Sequence, residues 1–286
     1  MTPKFGPAGN AECFYEQGYK STVQAPKWLK EMGLSAYEYQ CGRGVRVNDS
    51  TLETMRNQAQ LHDIAISLHA PYYISLASAE VEKRDNSIRY ILESARAVVA
   101  MGGNRIVVHP GGLGGVSREE ATAIACDTLR RAQQALDEQG LSGVHICPET
   151  MGKINQLGNL DEIMTFCQID ERFLPCVDFG HLNSRTGGEV NGYDAYRAVW
   201  ETIGNTLGEE RGKAFHVHFS KIEYSAGGEK KHLTFEDTAF GPEPDGLMRL
   251  LVEQDLYPTI ICESAGTQAI DALAMKQLFD RHKEAL

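Results

Sequence analysis

The stretch RIVVHP at residues 105–110 is a short apolar run of strand-forming residues that leads into a histidine. Seven similar runs lie along the chain, and a segment with helical periodicity follows each one. The eight predicted strands cover residues 4–6, 36–40, 65–69, 105–109, 144–149, 174–178, 214–219 and 259–263. The predicted helices lie near residues 21–33, 48–62, 80–101, 117–139, 159–169, 194–207, 245–254 and 267–283. Eight strand–helix alternations predict an α/β fold, a closed parallel (β/α)8 TIM barrel.

Helix signals are clear in the segment near residues 117–139. Ser117 and Glu120 have the spacing of a capping box, Gly140 is placed to end the helix, and apolar residues recur between them every three or four positions. An open doubly wound sheet would be the alternative fold, but the glycines at 111–115 lack the G-x-G-x-x-G spacing of a phosphate loop. No linker or change of composition interrupts the pattern, so we expect one domain over residues 1–286.

Composition and charge exclude several classes of protein. The chain has 28 Lys and Arg against 39 Asp and Glu, a formal net charge of −11, which argues against a nucleic-acid partner held by bulk charge. Cationic loops or bound metal ions can still reverse the sign locally. The longest apolar runs are too short for a membrane span, and the first residues lack the apolar core of a secretory signal. Seven cysteines without a C-x-x-C pair predict a reducing compartment, and we expect a cytoplasmic protein.

Side chains that can bind metal occupy the carboxyl ends of six successive predicted strands. They are His69, His109, Glu149, Asp178 with His181, His218 and Glu263. Strand ends converge on one face of a barrel, the face where such folds place their chemistry. A single histidine or acid there is more often a structural residue, but so large a set needs cations to offset its desolvation. Mixed imidazole and carboxylate ligands suit Zn²⁺ best, with Mn²⁺ or Fe²⁺ as alternatives.

The ligand set is larger than one tetrahedral ion requires. We therefore expect two or more ions that share a bridging carboxylate, with Glu149 as the candidate bridge because its strand is midway through the series. A site with several metals activates water and stabilises both oxygens of an in-line displacement at phosphorus. No serine elbow or kinase motif competes with this interpretation, so the pattern favours phosphodiester hydrolysis.

Several motifs resemble the ordered signatures of the endonuclease IV family (AP endonuclease family 2), within the xylose-isomerase-like TIM barrels. They are HAPY at 69–72 with ISLA at 74–77, VHPG at 108–111, Glu149-Thr150, Val177-Asp178 with His181, His218 and Glu263. The resemblance runs from the third predicted strand to the C-terminus. It implies a barrel with a trinuclear zinc site that cleaves DNA on the 5′ side of abasic sites.

The resemblance also implies roles for individual residues. One metal would be held by His69, His109 and Glu149, a second by Glu149, Asp178, His218 and Glu263, and a third by His181 and His232. Besides binding metal, Glu263 would orient or deprotonate the nucleophile, with Glu149 as the bridging catalytic carboxylate. Tyr72 occupies the position of a family tyrosine near the DNA.

Cationic residues in the predicted loops at this face add candidate substrate contacts. Together with bound metal they could make the barrel mouth positive while the rest of the chain stays acidic; they are Arg43, Arg46, Lys153, Lys221, Lys230 and Lys231. Among them, Arg43, Lys221 and Lys230 are the candidate substrate-binding residues. Charged loops are common without such a role. The expected partner is damaged double-stranded DNA, bound by a monomer; no membrane and no protein partner are indicated.

The chain departs from the family pattern at three places. The family's third-metal motif is Asp-any-His, but Lys230 occupies the Asp position before His232, and Glu229 one residue earlier forms a Glu-x-x-His arrangement that could substitute. A lysine ammonium near the phosphate could also replace the cation. GPAGN at 6–10 stands where the family has Gly-any-His, and the loop CGRGVR at 41–46 is short.

Three functions remain open from the sequence. The first is a metal-dependent DNA-repair endonuclease with two or three zinc ions. The second is a sugar isomerase or epimerase of the xylose-isomerase-like superfamily, which the altered third-metal motif favours and the histidine-rich ligand set disfavours. The third is a non-catalytic family member that binds metal or damaged DNA. Nicking of an abasic duplex, turnover of a ketose, or DNA binding without nicking would separate them.

Overall fold

The computed structural model describes residues 1–285 and contains a barrel of eight parallel strands. The strands are β1 Lys4–Pro7, β2 Ala36–Gln40, β3 Ala65–His69, β4 Arg105–Val108, β5 His145–Pro148, β6 Cys176–Asp178, β7 His216–Phe219, β8 Ile222–Ser225, β9 Gly228–His232 and β10 Thr259–Cys262. All except β8 and β9 belong to the barrel, and each of the eight predicted strands overlaps one of its strands. The predicted TIM barrel is confirmed.

Two parallel sheets close on each other to form the barrel. One has the strand order β2-β3-β4-β5 and the other the order β1-β10-β7-β6. Parallel bridges from Ala8 to Glu38 and from Glu149 to Cys176 join the sheets at both seams. The strands therefore follow one another around the barrel in chain order, and the antiparallel hairpin β8–β9 lies outside that ring.

Helices follow the strands around the outside of the barrel. They are α1 Glu12–Glu16, α2 Ala25–Met32, α3 Asp49–His62, α4 Val81–Ala100, α5 Arg118–Glu138, α6 Leu160–Cys167, α7 Phe179–Arg185, α8 Tyr193–Leu207, α9 Glu209–Ala214, α10 Asp245–Glu253 and α11 Gln268–Glu284. Ser117 caps α5 as predicted, because its side chain accepts a hydrogen bond from the Glu120 N–H at 3.2 Å. No helix within residues 1–285 is long and apolar enough to cross a membrane.

Four elements were not predicted, namely α1, α7, α9 and the β8–β9 hairpin. The helices among them are short, with five to seven residues each, so their periodicity is too brief to detect. Strands β8 and β9 are largely polar, only the first residue of each is buried, and they lack the alternation of a half-buried strand. Their turn depends on Gly228, which adopts φ +90°.

The interior of the barrel differs from the apolar layer beneath the helices. Large apolar side chains, among them Trp28, Phe14 and Phe166, are fully buried. Inside the barrel, near the carboxyl ends of the strands, the buried side chains are instead histidines and carboxylates. The fold thus places a polar cluster at the mouth of an apolar scaffold.

Candidate metal centre

The register of the barrel brings the predicted ligands to one end. Asp178 is the register partner of His218 across β6 and β7, and side chains at paired positions of parallel strands point to the same face. Glu149 bridges to Cys176 at the seam between β5 and β6, one residue after β5 ends. Residues far apart in sequence therefore meet at the barrel mouth.

The first cluster consists of His69, His109 and Glu149. The Nε2 atoms of the two histidines lie 3.2 Å apart, and Glu149 Oε2 lies 3.4 Å from His69 Nε2 and 3.0 Å from His109 Nε2. His69 Nδ1 lies 2.8 Å from the carbonyl oxygen of Ala70, a contact in which the imidazole donates. That hydrogen bond leaves the lone pair of His69 Nε2 for a metal.

The second cluster consists of Glu149, Asp178, His218 and Glu263, whose ligand atoms lie within 4.8 Å of one another. His218 Nδ1 lies 3.2 Å from Glu149 Oε1 and 3.5 Å from Glu263 Oε1. The two oxygens of Glu149 thus face different clusters, Oε2 the first and Oε1 the second. This is the geometry that a bridging carboxylate requires.

The third cluster consists of His181, Glu229 and His232, again with ligand atoms within 4.8 Å of one another. His181 Nε2 lies 3.5 Å from Glu229 Oε2, and its Nδ1 lies 2.9 Å from the carbonyl oxygen of Thr150. His232 Nδ1 lies 2.8 Å from the hydroxyl of Ser220. Glu229, and not Lys230, therefore supplies the carboxylate that lies beside these two histidines.

An irregularity in the β8–β9 hairpin explains how Glu229 reaches this cluster. Residues three apart in a regular strand point to opposite faces. Here Tyr224 pairs with Glu229, whereas Ile222 pairs with His232, so β9 contains one more residue than β8 over this stretch. The extra residue is a β-bulge, and it turns Glu229 and His232 to the same face of the hairpin.

Two buried carboxylate oxygens indicate that a cation fits these clusters. Glu149 Oε2 and Asp178 Oδ2 have no hydrogen-bond partner among the described residues, although both side chains are fully buried. An unsatisfied oxygen of a buried carboxylate is costly unless a positive charge compensates it. The donor set of imidazoles and carboxylates is the one that zinc and similar ions prefer.

Neighbouring charges within the clusters shift the pKa values of their members. Burial raises the pKa of Glu149, but the imidazoles of His109 and His218 outweigh burial and hold this pKa well below its usual value. Burial lowers the pKa of His181, yet Asp178 and Glu149 raise it to about 10. Glu149 is therefore an ionised ligand at neutral pH, and a metal must displace the proton from His181.

The three clusters open into one cavity of about 460 Å³ at the barrel mouth. Tyr72 stands at its edge with 58% of its surface exposed, and its ring centroid lies 5.2 Å from that of His69 and 5.3 Å from that of His109. The short loop after β2 packs against Tyr72, because a Cβ at Gly42 would overlap its ring. A tyrosine ring is thus fixed beside the first cluster.

The predicted cationic contacts divide into two groups. Arg43 lines a groove that adjoins the cavity and shares Tyr72 with it. Lys221 is buried, and its Nζ donates to the Asp237 carbonyl at 2.6 Å and to Glu243 at 2.7 Å. Lys230 pairs with Glu223 at 3.3 Å. The structure therefore does not bring Lys221 or Lys230 to the cavity.

Sequence reasoning missed several residues of the site. Met151 and Gln156 line the cavity beside Lys153, a lysine that the sequence did place in a loop at this face. Glu38 and His216 lie beneath the clusters and are fully buried. A glutamate inside the predicted strand 36–40 was a usable signal for Glu38, because an isolated acid in a barrel strand needs a buried partner.

A model of the family described as xylose isomerase-like TIM barrel matches residues 26–281 of the chain. The chain belongs to that family. The uncharacterized protein MJ0133 of Methanocaldococcus jannaschii is 34% identical to it over 87% of this chain and 88% of that protein. A family member from Acholeplasma laidlawii, named Probable endonuclease 4, is 29% identical over 62% of this chain and 58% of its own length. The resemblance to endonuclease IV that the motifs indicated is thereby confirmed.

Solved structures with this fold include proteins of different activity. Endonuclease IV from Thermus thermophilus superposes with a TM-score of 0.67 at 18% identity, covering 99% of this chain and all of that one. A D-tagatose 3-epimerase-like protein reaches a TM-score of 0.70 at 17% identity, with 99% and 97% covered. At such low identity these likenesses show the fold alone, and the function has to be argued from the site.

Proposed function

We propose that the protein is a metal-dependent DNA-repair endonuclease that hydrolyses the phosphodiester on the 5′ side of abasic sites. The observation that carries the proposal is the set of three adjacent ligand clusters, two of which share Glu149, at the floor of one cavity. Zinc is the preferred ion for these ligands, with manganese as the alternative. Damaged double-stranded DNA is the proposed substrate.

Different residues of the site have different roles in the proposed reaction. Bound ions would neutralise the phosphate and make water a stronger nucleophile. Glu149 is fully buried and holds the first two clusters together. Glu263 has 15% of its side chain exposed and lines the cavity, so its carboxylate reaches both the second cluster and the substrate. It is therefore placed to orient the attacking water and to accept its proton.

The surface around the cavity suits a damaged duplex. Tyr72 exposes its ring beside the first cluster, where it can stack on a base or fill the gap that a missing base leaves. Arg43 in the adjoining groove and Lys153 at the cavity can contact phosphates. An abasic nucleotide is cheap to extrude because no base pair has to be broken, which favours it over normal DNA.

An epimerase acting on a small sugar is the second candidate. The epimerase neighbours have the same fold, and the cavity is of a size that small ligands occupy. The third cluster argues against it, because Glu229 and His232 belong to a hairpin outside the barrel and extend the centre beyond the strand ends. Three adjacent cation sites suit a phosphate, which carries charge, better than a neutral sugar.

A metal count combined with a nicking assay tests the proposal. Purified protein is stripped with chelator, reloaded with Zn²⁺ or Mn²⁺, and incubated with a duplex that carries one abasic-site analogue and with the same duplex undamaged. We expect two or three ions per chain and a cut on the 5′ side of the lesion only. Turnover of a ketose without nicking would indicate the epimerase, and tight DNA binding without nicking would indicate a non-catalytic binding protein.

A further inference from the structure

A second polar layer lies directly beneath the metal clusters. Side chains two positions before the ligands also point into the barrel. Register pairs Glu38 with Ser67 and Cys176 with His216, and all four of these side chains are buried. Barrel interiors are usually filled with Val, Ile and Leu, so a carboxylate at this depth needs a specific reason.

Both oxygens of Glu38 are engaged within this layer. Oε2 accepts a hydrogen bond from the Ser67 hydroxyl at 2.9 Å and lies 3.0 Å from His216 Nε2. Oε1 accepts a hydrogen bond from Gln40 Nε2 at 3.2 Å. It also lies 3.0 Å from His218 Nε2, although the angle of this second contact is outside the range of a regular hydrogen bond. Glu38 thus joins the deep layer to a ligand of the second cluster.

His218 differs from His69 and His181 in what faces its second nitrogen. Main-chain carbonyls of Ala70 and Thr150 face Nδ1 of His69 and His181, so the backbone itself sets which nitrogen carries the proton in these two rings. For His218 the corresponding group is the carboxylate of Glu38. The orientation of His218 therefore depends on a side chain that can be replaced.

We propose that Glu38 is a positioning residue of the metal centre, which keeps the proton of His218 on Nε2 and leaves Nδ1 for the metal bound with Glu149, Asp178 and Glu263. The inference rests on the proposed metal centre and deepens it. A carboxylate behind a ligand histidine fixes the ring and makes its free nitrogen a stronger ligand. The proposal also gives a reason for a carboxylate at this depth in the barrel.

The variant Glu38→Gln removes the charge of this side chain and should change the tautomer of His218, while the size of the side chain stays nearly the same. His216 and Ser67 both donate to the Oε2 position, so the amide oxygen belongs there and the amide NH₂ must face His218. An NH₂ donates to His218 Nε2 and drives the proton to Nδ1, the nitrogen that the metal needs. We expect zinc affinity at the second cluster to fall about 10–100-fold, and Glu38→Asp to restore part of it.

The experiment measures zinc by competition with a chromogenic chelator, and the tautomer of His218 by ¹⁵N NMR of the zinc-loaded protein. Cys147→Ala is the matched control, because Cys147 is equally buried and its thiol donates to the His145 carbonyl oxygen at 3.7 Å rather than hydrogen-bonding to Glu38 or His218. This variant should lose stability but bind zinc as the wild type does.

The outcomes distinguish this inference from the proposed function. Wild-type protein that binds zinc with His218 protonated on Nε2, together with weaker binding by Glu38→Gln, supports the role of Glu38. Wild-type protein with the proton of His218 on Nδ1 overturns it, and so does undiminished zinc affinity in Glu38→Gln. The NMR result on the wild type stands even if the variant does not fold. Wild-type protein that binds no metal overturns the metal centre itself.

Discussion

Replacing Glu229 by alanine should remove one metal ion and leave two. Glu229 supplies the only carboxylate of the third cluster, whose other members are the imidazoles of His181 and His232. The first two clusters share no residue with it, so they should keep their ions. Loss of one electrostatic stabiliser of a developing charge costs about 10²- to 10³-fold in rate. We expect abasic-site cleavage to fall by about that factor in the presence of zinc.

The β-bulge supplies the controls for this prediction. Lys230→Ala should keep all three ions, because Lys230 pairs with Glu223 on the surface and faces no cluster. Deletion of Lys230 leaves Glu-x-His spacing, in which both ligands share a face of a regular strand, and should also keep three ions. Adding Lys230→Asp to the Glu229→Ala variant should not restore the third ion, because an aspartate at the bulge faces away from the cluster.

Elemental analysis of dialysed protein counts the ions, and a gel assay on an abasic duplex gives the rate. Three ions in Glu229→Ala would refute the assignment of Glu229 as a ligand. Rescue by Lys230→Asp would refute the argument from strand register, since it would mean that the bulge does not decide which residue reaches the cluster. Circular dichroism of each variant checks that the hairpin change leaves the barrel folded.

Three other residues of the site can be tested separately. Glu263→Gln should lower the cleavage rate about 10²- to 10⁴-fold, which is the range of general acid–base catalysis, while DNA affinity stays within about tenfold. A gel-shift titration measures that affinity. A loss of binding as large as the loss of rate would contradict the role of Glu263 at the nucleophile. Zinc binding at pH 7.5 should release protons, because the pKa of His181 is raised to about 10 and the metal needs its neutral form, so zinc affinity should weaken as the pH falls. Calorimetry in two buffers of different ionisation enthalpy measures this release, and equal heats would argue against it. Tyr72→Ala should raise KM for the abasic duplex about tenfold, because it removes the stacking ring. Tyr72→Phe keeps the ring and should change KM little. Similar increases of KM in both variants would mean that the hydroxyl, rather than the ring, contacts the DNA.

The barrel and the ligands at its strand ends were predictable because both depend on local sequence. Each barrel strand is a short apolar run, and each predicted ligand at a strand end follows or closes one, as His109 follows RIVV. Parallel closure then brings these ends together without further information. The first two clusters are therefore encoded in segments that can be recognised one at a time.

The third cluster and the deep layer depend on pairing that the sequence does not display. The side on which Glu229 lies follows from one extra residue in β9 relative to β8, and the polar hairpin lacks the alternation that would reveal its register. Lys221 was predicted at the substrate because it follows a strand. In the structure Lys221 is buried, and Glu243, twenty-two residues later, holds its ammonium in an ion pair. A charged residue that follows a strand can bind the substrate or form an ion pair within the protein, and only its tertiary contacts show which of the two it does.

The division between barrel and hairpin also bears on how this family diversifies. Residues at the ends of the barrel strands supply the first and second clusters, so this chain forms both of them from the barrel alone. The third cluster adds Glu229 and His232 from β9 to His181 from α7, next to β6. In this chain the third cluster therefore depends on a segment outside the barrel, the hairpin in which Lys230 is the extra residue of β9. The hairpin, rather than the barrel that this chain shares with the epimerases, is where a phosphodiesterase of this family would be distinguished from its relatives.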